Sequence, residues 1–206
     1  MKILKFKPQR SNINESKIIN ELKACLKNDG VIILKTDTIY GFSCLASSKK
    51  ALQRLRRIKG RNDDKAFLVL VDSFEMIEDL TFLSPAKRRF LEDEKIFSKK
   101  STTILLKLKK KFPAELLGKN KNDKIALRLP KSRFLIKMIK ELAEPLVSTS
   151  LNISGDENIS DPKKIKNVFS EDRLADLVLD SGPSRRKKAS RLIDFSSSNK
   201  GLLLRR

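Results

Sequence analysis

Three short polar segments contain the residues whose types suit chemistry on a charged substrate. The first is Lys35-Thr-Asp-Thr-Ile-Tyr-Gly41, the second carries Lys59, Arg61 and Lys65, and the third is Ser148-Thr-Ser-Leu-Asn-Ile-Ser-Gly155. Each segment places hydroxyls, amides or cations beside a run of apolar residues that is typical of a strand. Together they predict one binding site for a substrate that carries phosphate.

The cations of the second segment lie between a predicted helix and a predicted buried strand. Loops at such positions border the ligand crevice of an open α/β sheet, so Lys59, Arg61 and Lys65 suit a triphosphate. Side-chain cations are required because the chain lacks the phosphate loops Gly-x-x-x-x-Gly-Lys-Ser/Thr and Gly-x-Gly-x-x-Gly. The same three cations also fit a second role, which is to offset the dipole at the C-terminal end of the helix.

Uncharged hydrogen-bonding groups follow the predicted strand Val31 to Leu34. The hydroxyls of Thr36, Thr38 and Tyr40 suit a neutral or zwitterionic ligand, because they donate and accept hydrogen bonds without carrying charge. Thr-Asp-Thr is equally an ordinary turn between two strands, so both interpretations stay open.

Small polar residues also gather where the predicted strand from Leu146 ends. Their hydroxyls, amide and backbone N–H groups are the usual components of an anion-binding nest. The residues are Ser148, Thr149, Ser150, Asn152 and Ser154. In the preceding strand, Arg128 interrupts an apolar run, and a buried arginine needs a partner, for which a carboxylate fits.

Alternating strands and helices must position these groups, which predicts an α/β fold. The predicted strands are Lys2 to Lys7 at a sheet edge, Val31 to Leu34, Phe67 to Val71 at the centre, Thr102 to Leu108, Ile125 to Leu129, Leu146 to Thr149, Asp176 to Leu179, Arg191 to Phe195 and Gly201 to Leu204. The predicted helices are Asn14 to Lys27, Ser48 to Ile58, Ser84 to Ile96 with Phe90 and Leu91 inward, Phe134 to Ala143 after the cap Ser132, and a short one opened by Asp161-Pro162. Without a linker or a repeat, residues 1–206 are expected to form a single domain.

Composition excludes several kinds of chemistry. The chain has no histidine, which excludes a Ser-His-Asp triad, a Cys-His dyad and every metal site that contains histidine. Cys25 and Cys44 form no Cys-x-x-Cys, and they are expected to be free, buried thiols of an intracellular protein. No apolar run is long enough for a membrane span and no signal peptide is present, so we expect a soluble cytoplasmic protein.

The net charge allows two interpretations. The 46 Lys and Arg residues against 25 Asp and Glu give +21, which attracts nucleic acid, nucleotides or another polyanion. The alternative is a compositional excess of lysine on a solvated surface. The strongest charge run, Arg185-Arg-Lys-Lys188, is correspondingly a solvated loop or a contact for phosphate or RNA.

The polar segments resemble, in order, the motifs of the threonylcarbamoyl-AMP synthase (YrdC-like) family. That family typically has Pro-Thr-Glu-Thr-x-Tyr-Gly, Lys-x-Arg, Val-Arg-x-Pro and Ser-x-Asn-x-Ser-Gly. The corresponding segments here are Lys35 to Gly41, Lys59-Gly-Arg61, Leu127-Arg-Leu-Pro130, Ser150 to Gly155, and the tail pattern Ala189-Ser-Arg-Leu-Ile-Asp194 with Arg205. The match covers roughly residues 15–206.

The resemblance implies an open, twisted mixed sheet flanked by helices, with a cationic cavity and no second C-terminal domain. The implied reaction makes threonylcarbamoyl-AMP and pyrophosphate from L-threonine, bicarbonate and ATP. Mg²⁺ would travel with the ATP rather than with a protein site. A partner enzyme system would then transfer the group to the tRNA adenosine next to the anticodon.

The resemblance also assigns roles, none of which is that of a nucleophile or a general base. Threonine, its carboxylate or the carbamate would contact Thr38, Arg128, Ser150 and Ser190. The ATP would be held by Lys59, Arg61, Lys65, Ser148, Asn152 and Arg205. The protein would contribute positioning and charge stabilisation.

Phe97 to Thr103 departs from the family, which commonly has Trp-Pro-Gly-Pro-x-Thr there. Only the final threonine is kept, and Lys99 and Lys100 could add phosphate contacts. Two other functions therefore stay open. One is an RNA-binding module of the same fold without ATP turnover, for tRNA or double-stranded RNA, and the other is a diverged paralogue with a different carbamoyl-type substrate.

Overall fold

The computed structural model describes residues 1–6, 12–60, 65–118, 123–169, 174–184, 190–197 and 201–205. Within these ranges, helices flank one sheet of ten strands. The strands are β1 (Lys2–Lys5), β2 (Ile32–Lys35), β3 (Tyr40–Leu45), β4 (Leu68–Leu70), β5 (Thr102–Lys107), β6 (Lys124–Arg128), β7 (Leu146–Ser150), β8 (Leu177–Asp180), β9 (Arg191–Asp194) and β10 (Leu202–Arg205). The helices are α1 (Asn12–Lys27), α2 (Lys49–Lys59), α3 (Phe74–Leu80), α4 (Pro85–Asp93), α5 (Ile96–Lys99), α6 (Ala114–Leu117), α7 (Arg133–Leu142) and α8 (Ile165–Val168), which follows a 3₁₀ turn at Pro162–Lys164.

The sheet is mixed and open, with the order β1-β8-β2-β3-β7-β4-β6-β5-β9-β10. Pairing is parallel in β1/β8, β2/β8, β4/β6 and β5/β9, and antiparallel in the other five pairs. The predicted α/β class is confirmed, as are the positions of β1 at an edge and of β4 in the interior of the sheet. No described helix has both the length and the apolar character needed to cross a membrane.

One face of the sheet is only partly covered by helices. The register places Ser148 opposite Leu68, Leu68 opposite Ala126, and Ala126 opposite Leu105, so these residues project from the same face. Nearer one end of the strands, α1 and α7 cover this face with apolar side chains that pack on Leu70 and Leu146. The side chains of Leu68, Leu105 and Ala126 remain half-exposed. We call these three residues the open face.

Serine caps begin several of the described helices, and those at Ser84 and Ser132 are predicted from the sequence. A serine hydroxyl accepts a hydrogen bond from the backbone N–H three residues later, which satisfies one of the free donors of the first turn. The capping serines are Ser48, Ser73, Ser84 and Ser132. At the other end of α2, Gly60 adopts φ 56°, and its N–H bonds to Arg56 and Arg57 oxygens. This left-handed turn ends the helix directly after Lys59.

The predicted helix Ser84 to Ile96 is confirmed as far as Asp93 and is interrupted after it. The structure ends α4 at Asp93 and begins α5 at Ile96, because Lys95 adopts a left-handed φ of 49° between them. Phe90 was expected to face inward, but its side chain is 36% exposed, whereas Leu91 is buried as predicted. The turn of the chain at Lys95 buries Phe97 against Phe74, with ring centroids 5.7 Å apart.

Three elements have no counterpart in the sequence prediction. Strand β3 is buried along its whole length, but Gly41 and Ser43 interrupt its apolar residues, so it shows no continuous apolar run. Helices α3 and α6 have seven and four residues, too few for a helical period to stand out. Both thiols are free as predicted, and burial raises the pKa of Cys44 to about 12, while Cys25 is half-buried.

Candidate functional site

A buried lysine ammonium lies at the carboxyl end of β7. Lys59 is 2% exposed, and its Nζ donates to the backbone oxygens of Ser150 at 2.7 Å and Asn152 at 2.9 Å. The same Nζ lies 2.5 Å from Asn152 Oδ1 and 3.3 Å from Ser150 Oγ. Four oxygens of two residues thus hold one cation, which satisfies the need of a buried charge for partners.

The end of α2 places this ammonium. Gly60 stops the helix after Lys59, and the backbone oxygen of Lys59 accepts the N–H of Ser154 at 2.9 Å. Ser150 Oγ also donates to Asn152 Oδ1 at 2.6 Å. Helix end and strand end are therefore joined by side-chain and backbone hydrogen bonds.

A second cation lies on the same face of the sheet as Ser148. Arg128 follows Ala126 by two residues and is 3% exposed. Its Nη2 donates to the carboxylate of Asp37 in an ion pair, and its Nη1 donates to Thr38 Oγ1 at 3.2 Å. The carboxylate that the sequence requires for a buried arginine thus comes from the turn between β2 and β3.

The Asp37–Arg128 pair is almost dry. Burial lowers the pKa of Arg128, and the charge and hydrogen bond of Asp37 oppose that shift. The remaining guanidinium nitrogen, Nε, is buried and has no hydrogen-bond partner among the described residues. An unsatisfied buried donor is costly, so this N–H is a natural point of attachment for an acceptor that arrives with a ligand.

Local hydrogen bonds fix the β2–β3 turn. Thr36 Oγ1 lies 2.9 Å from Thr38 Oγ1 and 2.8 Å from the backbone oxygen of Ile39. Asp37 also accepts the hydroxyl of Ser101 at 3.3 Å. The turn interpretation of Thr-Asp-Thr is confirmed, because the segment joins β2 to β3. The segment also brings Thr38 to Arg128, and the binding of a ligand by its hydroxyls stays a prediction.

A third group surrounds the start of β9. Ser190 is 4% exposed, and its hydroxyl lies 2.7 Å from that of Thr103. Arg205 of β10 reaches back and donates to the backbone oxygen of Ser190 through Nε at 3.1 Å and Nη2 at 2.7 Å. Thr103 precedes Leu105 by two residues, so this hydroxyl pair borders the open face.

The hydroxyl of Tyr40 is used inside the protein. It donates to the backbone oxygen of Gly182 at 2.8 Å and accepts the N–H of Ser181 at 2.9 Å. Burial raises the pKa of Tyr40, so its phenol stays protonated. Tyr40 was a candidate ligand group, but these bonds instead tie the β2–β3 hairpin to the segment after β8.

The structure therefore brings most of the candidate residues into three neighbouring groups. Lys59, Ser150 and Asn152 form the first, Thr38 and Arg128 the second, and Ser190 and Arg205 the third. Ser148 is buried two residues before Ser150, and Lys65 has an exposed side chain while its backbone oxygen accepts Arg56 Nη2 at 3.2 Å. Arg61 and the run Arg185 to Lys188 lie outside the described residues. Lys99 and Lys100 are exposed.

Three residues of these groups had no assigned role. Asp37 pairs with Arg128, Ser101 bonds to Asp37, and Thr103 bonds to Ser190. A signal for Asp37 was present, because a buried arginine requires a carboxylate and Asp37 stands between two candidate threonines. Ser101 and Thr103 had no such signal. Thr103 meets Ser190 through the pairing of β5 with β9, and Ser101 meets Asp37 of the β2–β3 turn, 64 positions away along the chain.

Sequence comparison finds a known family along most of the chain. The profile of the Sua5/YciO/YrdC family, which bears the description "Telomere recombination", matches residues 24–206. The YciO protein of Escherichia coli strain K12 is 27% identical over 169 residues, covering 82% of this chain and 79% of its own. The threonylcarbamoyl-AMP synthase of Pseudoalteromonas translucida is 30% identical over 149 residues, covering 71% of this chain and 78% of its own.

Solved structures share the fold. The H234A/Y235A form of P. abyssi Sua5 superposes with a TM-score of 0.83 at 26% identity, covering all of this chain. This chain spans 57% of that Sua5. The crystal structure of E. coli YciO superposes with a TM-score of 0.80 at 26% identity, and this chain spans 95% of it.

Proposed function

Because the chain belongs to the Sua5/YciO/YrdC family, we propose that it is an L-threonylcarbamoyl-AMP synthase. Its substrates are L-threonine, bicarbonate and ATP, and its products are threonylcarbamoyl-AMP and pyrophosphate. Family relatives named as threonylcarbamoyl-AMP synthases support this activity. The observation that carries the proposal is the buried Lys59 ammonium joined to Ser150 and Asn152, near a sheet face on which Arg128 follows Ala126 of the open face by two residues.

The reaction needs no imidazole. The amine of threonine attacks the carbon of CO₂ and loses a proton, which gives a carbamate. Bicarbonate gives the same carbamate when it first loses hydroxide to form CO₂, and that hydroxide takes up the proton from the amine to form water. A carbamate oxygen then attacks the α-phosphorus of ATP, the bond from that phosphorus to the bridging oxygen breaks, and pyrophosphate leaves. Substrates supply both the nucleophile and the leaving group, so the protein contributes alignment and charge stabilisation. Mg²⁺ arrives with the ATP, as it commonly does with substrate phosphates.

The hydrogen bonds of the site suit this division of roles. On the amino-acid side, Arg128 Nε offers a donor to a carboxylate or carbamate, and Thr38 and Ser190 add hydroxyls. On the nucleotide side, the proposed cations are Lys59, Arg61, Lys65 and Arg205, and Ser148 and Asn152 add a hydroxyl and an amide. Ser150 shares a network with Lys59, which is consistent with a carbamate and an α-phosphate that must meet.

Pyrophosphate release tests the proposal directly. With ATP and Mg²⁺ present, release is expected only when both L-threonine and bicarbonate are added. Lys59→Met should abolish most of this release, while the exposed Lys140→Met serves as the matched control. Active, folded protein that consumes ATP at the same rate without threonine would contradict the proposed function.

The similarity to YciO supports a second candidate, a paralogue that acts on another carbamoyl-type substrate. The two candidates differ in the identity of the adenylate. Mass spectrometry of the reaction should find threonylcarbamoyl-AMP under the first proposal, with other amino acids giving far less product. The product would then pass to a tRNA-modifying transferase system, which attaches it to adenosine.

A further inference from the structure

An exposed aromatic ring lies among lysines at the end of β5. Phe82 is 64% exposed, which is unusual for a phenylalanine, since it buries a large apolar surface when it can. Thr81 forms an antiparallel bridge with Leu108, and the N–H of Phe82 bonds to the oxygen of Lys107 at 2.9 Å. Phe82 and Lys107 are therefore directly opposite one another, as cross-strand neighbours on one face.

The lysines form a continuous group around this ring. Lys107 also stands opposite Lys124 in the β5/β6 pair, so Phe82, Lys107 and Lys124 make a row across three segments of chain. The N–H groups of Lys109 and Lys110 bond to the oxygen of Leu80 at 2.9 and 3.3 Å, which holds the following turn beside the ring. We define the Phe82 surface as Phe82, Lys107, Lys109, Lys110, Lys111 and Lys124.

Most of these cations have no counter-charge. Within the described chain, Lys107, Lys109, Lys110 and Lys111 form no ion pair, whereas several lysines on α1, α2 and α7 do. The paired lysines elsewhere include Lys23 with Glu141, Lys49 with Glu115, Lys50 with Asp29 and Lys137 with Glu15.

The carboxylates near the Phe82 surface are few. Asp194 is already bonded to Lys124 at 3.0 Å, and Asp79 and Asp123 adjoin the surface along the chain. Lys87 of α4 adds a further cation, and its Nζ donates to the oxygen of Phe195 at 2.6 Å. Burial lowers the pKa of Lys87, Asp194 opposes that shift, and Lys107 adds to it, so Lys87 and Lys107 are near enough to repel.

We propose that the Phe82 surface binds an unpaired segment of RNA, with one base stacked on Phe82 and the lysines on its phosphates. An aromatic ring can stack on the flat face of any base. The face of a base is free for such stacking only when the base is unpaired and out of the helix. Folded RNA presents such bases in loops, bulges and ends, which makes it the partner that fits a single ring surrounded by cations.

The surroundings of the ring distinguish this partner from a membrane. Interfacial membrane binding needs a broad apolar face that enters the lipid, with cations at its border. Here a single ring lies opposite Lys107 of β5, and Lys107 in turn lies opposite Lys124 of β6. Such a pattern suits alternating base and phosphate contacts better than insertion into lipid.

The surface also continues into the open face. Lys107 follows Leu105 by two residues on β5, so the two side chains project from the same face. Binding of RNA at Phe82 would thus place a nucleic acid beside the candidate site without occupying it. The inference does not depend on the proposed reaction, because RNA binding is measured without ATP or threonine.

The test is fluorescence anisotropy of the full chain with a labelled single-stranded RNA of 12 nucleotides. Phe82→Ala and Phe82→Leu should each weaken binding about 5- to 150-fold, which is the usual effect of losing one stacked base. Phe82→Trp should keep the affinity, because it keeps the flat ring. Leu203→Ala, at another exposed apolar position, is the matched control and should change nothing.

Salt dependence tests the lysines separately. Replacing Lys107, Lys109, Lys110 and Lys111 by Gln should reduce the slope of log affinity against log salt by up to about 2.8, since each phosphate contact on a single strand accounts for about 0.7. The pair Lys49→Gln and Lys50→Gln on α2 should leave the slope unchanged. Circular dichroism should show that every variant is folded, because the substituted side chains are exposed.

Several results would overturn the proposal. These are no binding by the unsubstituted protein at low salt, equal affinity for a duplex of the same sequence, or equal affinity of the Phe82→Leu variant. Binding to phosphatidylserine vesicles that depends on Phe82, without Phe82-dependent RNA binding, would assign the surface to a membrane instead.

Discussion

The candidate site and the Phe82 surface both contain cations, but the site buries two of them, Lys59 and Arg128, and the surface leaves most of its lysines in water. Lys59 is bonded to four oxygens, and Arg128 is paired with Asp37. In the described chain, Lys107 and Lys109 have no ion pair, and their side chains are exposed. A buried charge must be solvated by the protein, whereas water solvates an exposed one.

The difference also concerns geometry. Bonds from several elements fix the direction of the Lys59 and Arg128 side chains, so a substrate meets donors in set positions. Exposed lysines adopt many rotamers and can follow the backbone of a flexible polyanion. The site is therefore suited to one small ligand, and the surface to many related sequences of nucleic acid.

Removal of Asp37 should have the largest effect on stability. Asp37→Ala leaves the buried guanidinium of Arg128 without its counter-charge, so the free energy of unfolding should fall by about 3–5 kcal/mol. Urea titration followed by circular dichroism measures this loss. The double variant Asp37→Ala with Arg128→Met should recover much of the lost stability, because the double variant buries no charge at this pair. If no stability is recovered, the effect of Asp37→Ala does not arise from the loss of its ion pair with Arg128.

Removal of the Lys59 ammonium should have the largest effect on activity. Lys59→Met is expected to lower kcat/KM for ATP about 100- to 1,000-fold, as loss of one fixed charge-stabilising group usually does. Lys109→Met provides the exposed comparison and should leave the rate of pyrophosphate release unchanged. If Lys59→Met and Lys109→Met lowered the rate of pyrophosphate release equally, the buried and the exposed lysine would not differ in their contribution to activity.

The hydroxyl pair of Thr103 and Ser190 should show an intermediate effect. Thr103→Val keeps the shape but leaves the Ser190 hydroxyl without this partner, which should cost about 1–3 kcal/mol of unfolding free energy. A double-mutant cycle with Ser190→Ala isolates the pair, and additive effects would mean that the two hydroxyls do not interact.

Substitution on the Phe82 surface should have the smallest effect on stability. Lys107→Glu replaces a like-charge neighbour of Lys124 with an opposite one, so unfolding free energy should rise slightly, by up to about 0.5 kcal/mol. The same variant should weaken RNA binding. A large loss of stability would show that Lys107 has a role in the fold.

Much of the fold follows from local rules. Serine caps, Pro85 and Gly60 mark helix ends, and continuous apolar runs mark the central strands, because these signals act within a few residues. The prediction failed at β3, where Gly41 and Ser43 interrupt the apolar residues, and at Lys95, where a left-handed residue breaks a helix. The local sequence signals neither the burial of these two positions nor the backbone conformation of Lys95.

For the candidate residues, too, the sequence predicted some features and left others to the structure. The order of the polar segments identified Lys59, Ser150 and Asn152, and the structure joins them in one network. The need of Arg128 for a carboxylate was also clear from its apolar surroundings. The sequence did not show which carboxylate pairs with Arg128, because Asp37 lies 91 positions away along the chain.

The sequence by itself determined the residue types of the site, the absence of histidine chemistry, the α/β class and the excess of positive charge. Those properties depend on composition, spacing and order. Only the tertiary structure decided that Asp37 is the partner of Arg128, that Thr103 meets Ser190, and that Phe82 stands among unpaired lysines of the described chain. Strand register and turn position set these contacts, and both result from packing between distant segments.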